Sequence, residues 1–303
     1  MTHVPNQRAS ETPAQQAATD PLLSVEGLTV TFPTGRGPVD VVRDLSFTVE
    51  QGETLGIVGE SGSGKSMTSL AVMGLLPRGA RTSGSVRFQG RELLGRPDRE
   101  LRRLRGDAMS MVFQDPLSSL NPYYTVGLQI AEAYRSHRGG SRRAARRRAV
   151  EALGQVGIPR PAERVDHYPH QFSGGQRQRV MIAMALVCEP ALLIADEPTT
   201  ALDVTVQDQI LTLLTELQQQ TSTGMLFITH DLAVIANLAG RVLVMRGGEQ
   251  LEYATTEDVF CTPQHAYTRK LLEAIPRIDD ELAEPGGALA DLTPLGAAQE
   301  DPR

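Results

Sequence analysis

Eight consecutive residues carry the clearest chemistry in this chain of 303: Gly59, Glu60, Ser61, Gly62, Ser63, Gly64, Lys65 and Ser66. The spacing G-x-x-x-x-G-K-S lets a backbone nearly free of side chains curl around a polyphosphate and turn its N–H groups inward. A short apolar run, ETLGIVG, precedes it and a helical pattern, Ser66 to Leu76, follows. The anion would therefore also meet a helix N-terminus, where the backbone dipole favours negative charge. Lys65 is expected to reach the outer phosphates as a compact ammonium. The Ser66 hydroxyl is a hard oxygen ligand suited to Mg²⁺. Met67, at the start of the helix, completes the expected binding segment. The bland alternative, an ordinary Gly/Ser turn, explains neither the full spacing nor the flanking strand and helix.

A bound nucleoside triphosphate leaves open what is done with it, and four further polar groups narrow that. Four apolar residues, Leu192 to Ala195, precede Asp196 and Glu197, so the two carboxylates emerge at the end of a buried strand, where open α/β sheets place their chemistry. Asp196 is expected to hold Mg²⁺ through water and Glu197 to polarise the attacking water as general base. Gln114 closes SMVFQ, its amide within reach of both metal and water, and His230 closes LFITH, its imidazole placed for the γ phosphate or the base. Then Phe172-Ser173-Gly174-Gly175-Gln176 opens an amphipathic helix and forms a second anion-binding element. One chain with one γ phosphate has no need of two such elements. Two chains set head to tail, each closing the other's site, use both.

These groups need a scaffold of strand ends and helix starts. LLSVEGLTVTF and VVRDLSFTVEQGE alternate as strands, with PTGRGPVD between them as an insertion; ALLIADE and GMLFITHD are buried strands, and RVLVMRGGEQLEY is a hairpin turning at Gly247 and Gly248. Strands alternating with helices indicate a layered α/β fold. Residues 116–172 hold two helical patterns, VGLQIAEAYRSH and SRRAARRRAVEALGQVGI, with no strand between, as a helical insertion would. Residues 1–20 and 279–303 are polar, the latter acidic, and are expected to be disordered tails.

Composition excludes other classes. Of 30 basic residues only Lys65 and Lys270 are lysines, the net charge is −6, and there are two cysteines, Cys188 and Cys261. Two thiols are too few for a disulfide framework and fit a reducing compartment. Net acidity argues against a protein held on nucleic acid by phosphate neutralisation, and Arg142, Arg143, Arg146 and Arg147 are spaced as a solvated helix face. No apolar run is long enough to cross a membrane, and the N-terminus lacks the pattern of a secretory signal.

Taken in order, the motifs resemble those of ATP-binding-cassette ATPase subunits. Gly59 to Ser66 is similar to the Walker A motif, Leu192 to Glu197 to Walker B and Gln114 to the Q-loop. Phe172 to Gln176 is similar to the signature, with Phe where Leu is commoner; Ala201-Leu202-Asp203 is similar to the D-loop and His230 to the switch histidine. The resemblance covers residues 22–278. It implies a P-loop core with an N-terminal antiparallel β subdomain and an inserted α-helical subdomain at about 116–172. It also implies Phe32 stacked on adenine, and Ser173, Gly174, Gly175, Gln176 and Asp203 acting across a dimer.

Within that family, FQDPLSSLNPYYTVG and TPQHAYTRKLLEAIPR are similar to the oligopeptide and dipeptide importer ATPases, the second marking a C-terminal extension at about 255–278. The implied cofactors are ATP and Mg²⁺. The implied partners are two transmembrane permeases, a second ATPase subunit and, indirectly, a solute-binding protein, at the inner face of a membrane. Members of the subfamily that hold an iron–sulfur cluster do so in a cysteine-rich segment; no Cys follows Ile278 here, so no cluster is expected. Import of nickel or another small solute, and a cassette ATPase working on nucleic acid, are the alternatives.

Overall fold

The computed structural model describes residues 20–115, 119–200 and 202–274. Residues 1–19, 116–118, Ala201 and 275–303, with the expectations that fall on them, lie outside the described residues.

Two long strands open the fold. β1 (Leu23–Thr34) runs antiparallel to β2 (Gly37–Val49), and buries Leu23, Val25, Leu28 and Val30 along one face. The stretch PTGRGPVD, expected as an insertion, instead extends both strands: Phe32 pairs with Val39, Pro33 with Pro38 and Thr34 with Gly37. β1 pairs on its other side with β4 (Arg81–Phe88), which carries the short β5 (Arg91–Glu92), giving a four-stranded antiparallel sheet ordered β2-β1-β4-β5.

The second sheet has six strands, ordered β10-β9-β3-β8-β7-β6. β3 (Thr54–Val58), β6 (Met109–Val112), β7 (Leu192–Asp196), β8 (Gly224–Thr229) and β9 (Arg241–Arg246) are parallel, and β10 (Glu249–Thr255) turns back on β9 as the expected hairpin. β3, β6, β7 and β8 are buried at every residue, which is why they appear in the sequence as predominantly apolar runs. The sheets meet where Arg43 N–H donates to Gly248 O at 2.7 Å and where the Arg241 guanidinium, gripped by the Glu53 carboxylate at 2.5 and 2.7 Å, donates to Thr48 O of β2 at 3.0 Å.

Helix α1 (Lys65–Val72) is shorter than the expected Ser66–Leu76. Gly74 stops it: at φ 62° its N–H bonds Ala71 O, and Leu75 N–H bonds Leu70 O, the paired closure that a left-handed glycine allows. Next along the chain come α2 (Asp98–Leu104), α3 (Val126–Arg138), α4 (Arg142–Gln155) and α5 (Pro161–Arg164). Thr125 and Ser141 cap α3 and α4, whose buried faces include Ile130, Ala145, Ala149 and Leu153. Arg142, Arg143, Arg146 and Arg147 are exposed as their spacing implies, and Arg146 pairs with Asp166.

The remaining helices are α6 (Gly174–Leu186), α7 (Val204–Thr221), α8 (Leu232–Leu238), α9 (Thr256–Cys261) and α10 (Ala266–Glu273). One apolar cluster lies between the two sheets and α1; the other packs α3, α4, α6, α7 and α8 against the opposite face of the six-stranded sheet. Cys188 is buried, with its thiol pKa pushed up chiefly by that burial, and Cys261 is exposed.

Candidate active site

Residues 59–64 form the turn between β3 and α1 that the motif requires, and Lys65 and Ser66 open the helix. A Cβ on Gly59 would lie 2.1 Å from Met245 O, and one on Gly64, at φ 99°, 2.6 Å from Val41 O, so only glycine lets the loop sit this close to the neighbouring backbone. Lys65 is 4 % exposed, and its Nζ donates to Gly59 O at 2.7 Å and Glu60 O at 2.9 Å. Burial lowers its pKa, against the pull of the Glu197 and Asp196 carboxylates. The ammonium is thus parked on the loop's own carbonyls.

The Ser66 hydroxyl donates to Asp196 Oδ1 at 3.1 Å, and Ser69, one turn further along α1, donates to Oδ2 at 3.3 Å. Burial pushes the Asp196 pKa up; the two serines and Lys65 oppose it and Glu197 adds to it. A hydroxyl and a buried carboxylate in contact form the hard oxygen pair that Mg²⁺ prefers.

Glu197, just past β7, has φ 48°, a left-handed conformation that a glutamate occupies only under constraint from its surroundings. The constraint is visible. Its N–H bonds Ile228 O, and a single carboxylate oxygen, Oε2, accepts from Gln114 Nε2 at 3.2 Å and Thr200 Oγ1 at 2.9 Å, with His230 Nδ1 3.5 Å away. Gln114 and His230 come from the ends of β6 and β8, on either side of β7 in the sheet. Three strand ends therefore converge on one oxygen.

Phe32, Val41, residues 59–67, Gln114, Glu197, His230 and Leu271 line one cavity of about 890 Å³. Ser173, Gly174, Gly175, Gln176 and Asp203 do not line it. Ser173 starts α6 in a capping box, its hydroxyl accepting from Gln176 N–H at 3.3 Å while Gln176 Oε1 accepts from Ser173 N–H at 3.2 Å. Arg164 donates to the same Oε1 at 3.0 Å and lies over the Phe172 ring at 4.3 Å. Asp203 caps α7 through Val206 N–H at 3.0 Å. Sequence reasoning passed over Ser69, Thr200, Val41 and Leu271. Ser69 was within reach, three residues after Ser66 and hence on the same helix face; Val41 and Leu271 are brought in only by the fold.

A strand, glycine loop and helix on a parallel sheet, with carboxylate, amide and imidazole at the neighbouring strand ends, define a P-loop nucleotide-binding protein. The profile of the ABC transporter family matches residues 42–200, and that of the oligopeptide/dipeptide transporter C-terminal region matches residues 251–297. The chain is 56% identical over 263 residues to the oligopeptide transport ATP-binding protein OppD of Salmonella typhimurium, covering 87% of this chain and 78% of that one. It is 50% identical over 282 residues to the dipeptide transport ATP-binding protein DppD of Bacillus subtilis, covering 92% and 82%. Among solved structures, a dimeric ATP-binding cassette in a post-hydrolysis state with ADP and Pi superposes with a TM-score of 0.69 at 29% identity, over 77% of this chain and 98% of that one. The chain belongs to the ABC transporter family and is an ATPase of that family.

Proposed function

We propose that this chain is the ATPase subunit of an importer for dipeptides or oligopeptides, peripheral to the cytoplasmic face of the membrane and working as a dimer. The observation that carries the reading is the convergence of Gln114, Thr200 and His230 on Glu197 Oε2 beside an intact phosphate loop. The names of the relatives support peptide as the cargo and weigh against nickel or another small solute. In this reading residues 22–278 form the cassette, about 116–172 its helical subdomain and about 255–278 an importer-type extension. Two permease subunits dock beside Gln114 and the helical subdomain, and a solute-binding protein supplies the cargo.

Phe32 stacks on adenine, and Gly59, Glu60, Ser61, Gly62, Ser63, Gly64, Lys65, Ser66 and Met67 enclose the phosphates. Lys65 leaves Gly59 O and Glu60 O for the β and γ phosphates. Ser66, Gln114 and, through water, Asp196 would hold Mg²⁺, which offsets phosphate charge when bound. Glu197 takes the proton of the attacking water and His230 orients the γ phosphate. Ser173, Gly174, Gly175 and Gln176 close on the nucleotide of the partner chain, with Asp203 at the same seam. Their absence from the lining of this chain's own cavity and the dimeric neighbour support that arrangement. No iron–sulfur cluster belongs to it.

Replacing Glu197 by Gln keeps the amide contacts and removes the base. The variant should bind MgATP, lose turnover by about a hundredfold or more and accumulate as a dimer on gel filtration. ATPase at the parent rate would exclude Glu197 as the base. Peptide uptake by vesicles holding the chain with its permeases tests the cargo.

A further inference from the structure

The C-terminal helix α10 touches the phosphate loop. The Tyr267 hydroxyl accepts from the Glu60 N–H at 3.3 Å, its ring is buried beneath the Arg246 guanidinium at 4.8 Å, and Leu271, one helical turn on, lines the nucleotide cavity. The helix start is pinned in turn: the Glu252 carboxylate accepts from Gln264 N–H at 2.8 Å and His265 N–H at 3.2 Å. The peptide groups of Glu60 are therefore held at both ends, Tyr267 on its N–H and Lys65 Nζ on its carbonyl.

We propose that Tyr267 is a positioning residue of the nucleotide site and that α10, through Tyr267 and Leu271, responds to nucleotide occupancy. This rests on the ATPase reading above. When Lys65 moves to the phosphates it releases Glu60 O, which keeps the Ser63 N–H at 3.2 Å, and Tyr267 is then the side chain that still fixes Glu60 from outside the loop. The nucleotide meanwhile occupies the cavity that Leu271 borders. The region matched to the oligopeptide/dipeptide transporter C-terminal profile thus carries a wall of the nucleotide site and a contact that senses its filling.

The chain has no tryptophan, so Leu271→Trp places a single indole at the cavity. In the full-length protein its emission should change with MgATP and saturate with the binding curve, and Lys65→Ala should remove the response. Tyr267→Phe keeps the ring under Arg246 and deletes one hydrogen bond. It should raise the KM for MgATP about threefold to tenfold with kcat nearly unchanged, and abolish the MgATP-dependent protection of residues 264–274 in hydrogen exchange. A silent indole in a protein shown by equilibrium dialysis to bind ATP, or a Tyr267→Phe variant with parental KM and parental protection, overturns the proposal. If Lys65→Ala binds ATP with parental affinity, the nucleotide-site reading itself falls, and the proposal with it.

Discussion

Lys65 shows what one side chain can and cannot be exchanged for. It is buried among loop carbonyls, 2.7 and 2.9 Å from two of them, in a chain that otherwise uses arginine almost throughout. A guanidinium is longer and planar and does not fit that nest. Lys65→Arg should fold, as judged by circular dichroism, yet lose MgATP affinity by tenfold or more in equilibrium dialysis. Glu197 presents the opposite case. Its left-handed backbone costs on the order of 1–3 kcal/mol, a penalty that glycine does not incur. Glu197→Gly should abolish turnover and still melt no lower than the parent, despite losing the contacts to Gln114 and Thr200. A fall of many degrees would mean that those contacts, rather than backbone strain, dominate the position. The residue types and spacings were legible in the sequence because phosphate chemistry restricts them tightly. The shared oxygen on Glu197 was not, since Gln114 and His230 reach it from separate segments and Thr200 folds back on it from the turn that follows.

Elements were legible in proportion to their burial. β3, β7 and β8 stand out as apolar runs because both sheet faces are covered. β4, with four exposed residues at its start, and the charged α2 lack such a pattern. PTGRGPVD reads as an insertion because its two prolines and two glycines imitate a loop, although a hairpin end accommodates them in continuous pairing from Thr31–Asp40 to Thr34–Gly37, beyond a register shift at Val30. The junction of the sheets uses an arginine no pattern reveals, Arg241, which reaches Thr48 O of β2 while Glu53 holds its guanidinium; the Glu53 and Arg241 side chains are 16 % and 28 % exposed. Burial alone would raise the Glu53 pKa; hydrogen bonds from Arg241 and from Glu50 N–H outweigh it, so the carboxyl titrates below its usual range. Its stabilising effect is therefore complete above the unfolded value of about 4.3 and is lost as the pH falls through the lower folded value. Glu53→Gln should cost about 2 kcal/mol at pH 7 and show a shallower loss of stability on acidification, both measurable by denaturant melts across pH.

At the scale of the whole molecule, the site is divided by design of the fold. The loop and strand-end groups share one cavity, while the start of α6 faces elsewhere and is held rigid by its capping box and Arg164. Arg164→Ala should leave nucleotide binding by the isolated chain unchanged and weaken MgATP-driven dimer formation, which analytical ultracentrifugation of the Glu197→Gln background would measure. That division was foreshadowed in the sequence by two anion-binding elements where one chain needs only one. The part played by α10 was not, because Tyr267 and Glu60 are 207 residues apart.

The two cysteines give the protein a use beyond its own chemistry. Cys188 is buried with a raised thiol pKa, whereas Cys261, at the end of α9, is exposed, so a maleimide should modify one thiol per native chain and two after denaturation. A spin label or fluorophore can then be attached without any substitution. In a symmetric pair of chains it appears twice, related by the twofold axis, and the opening and closing of the two cassettes becomes a single distance that can be followed in time.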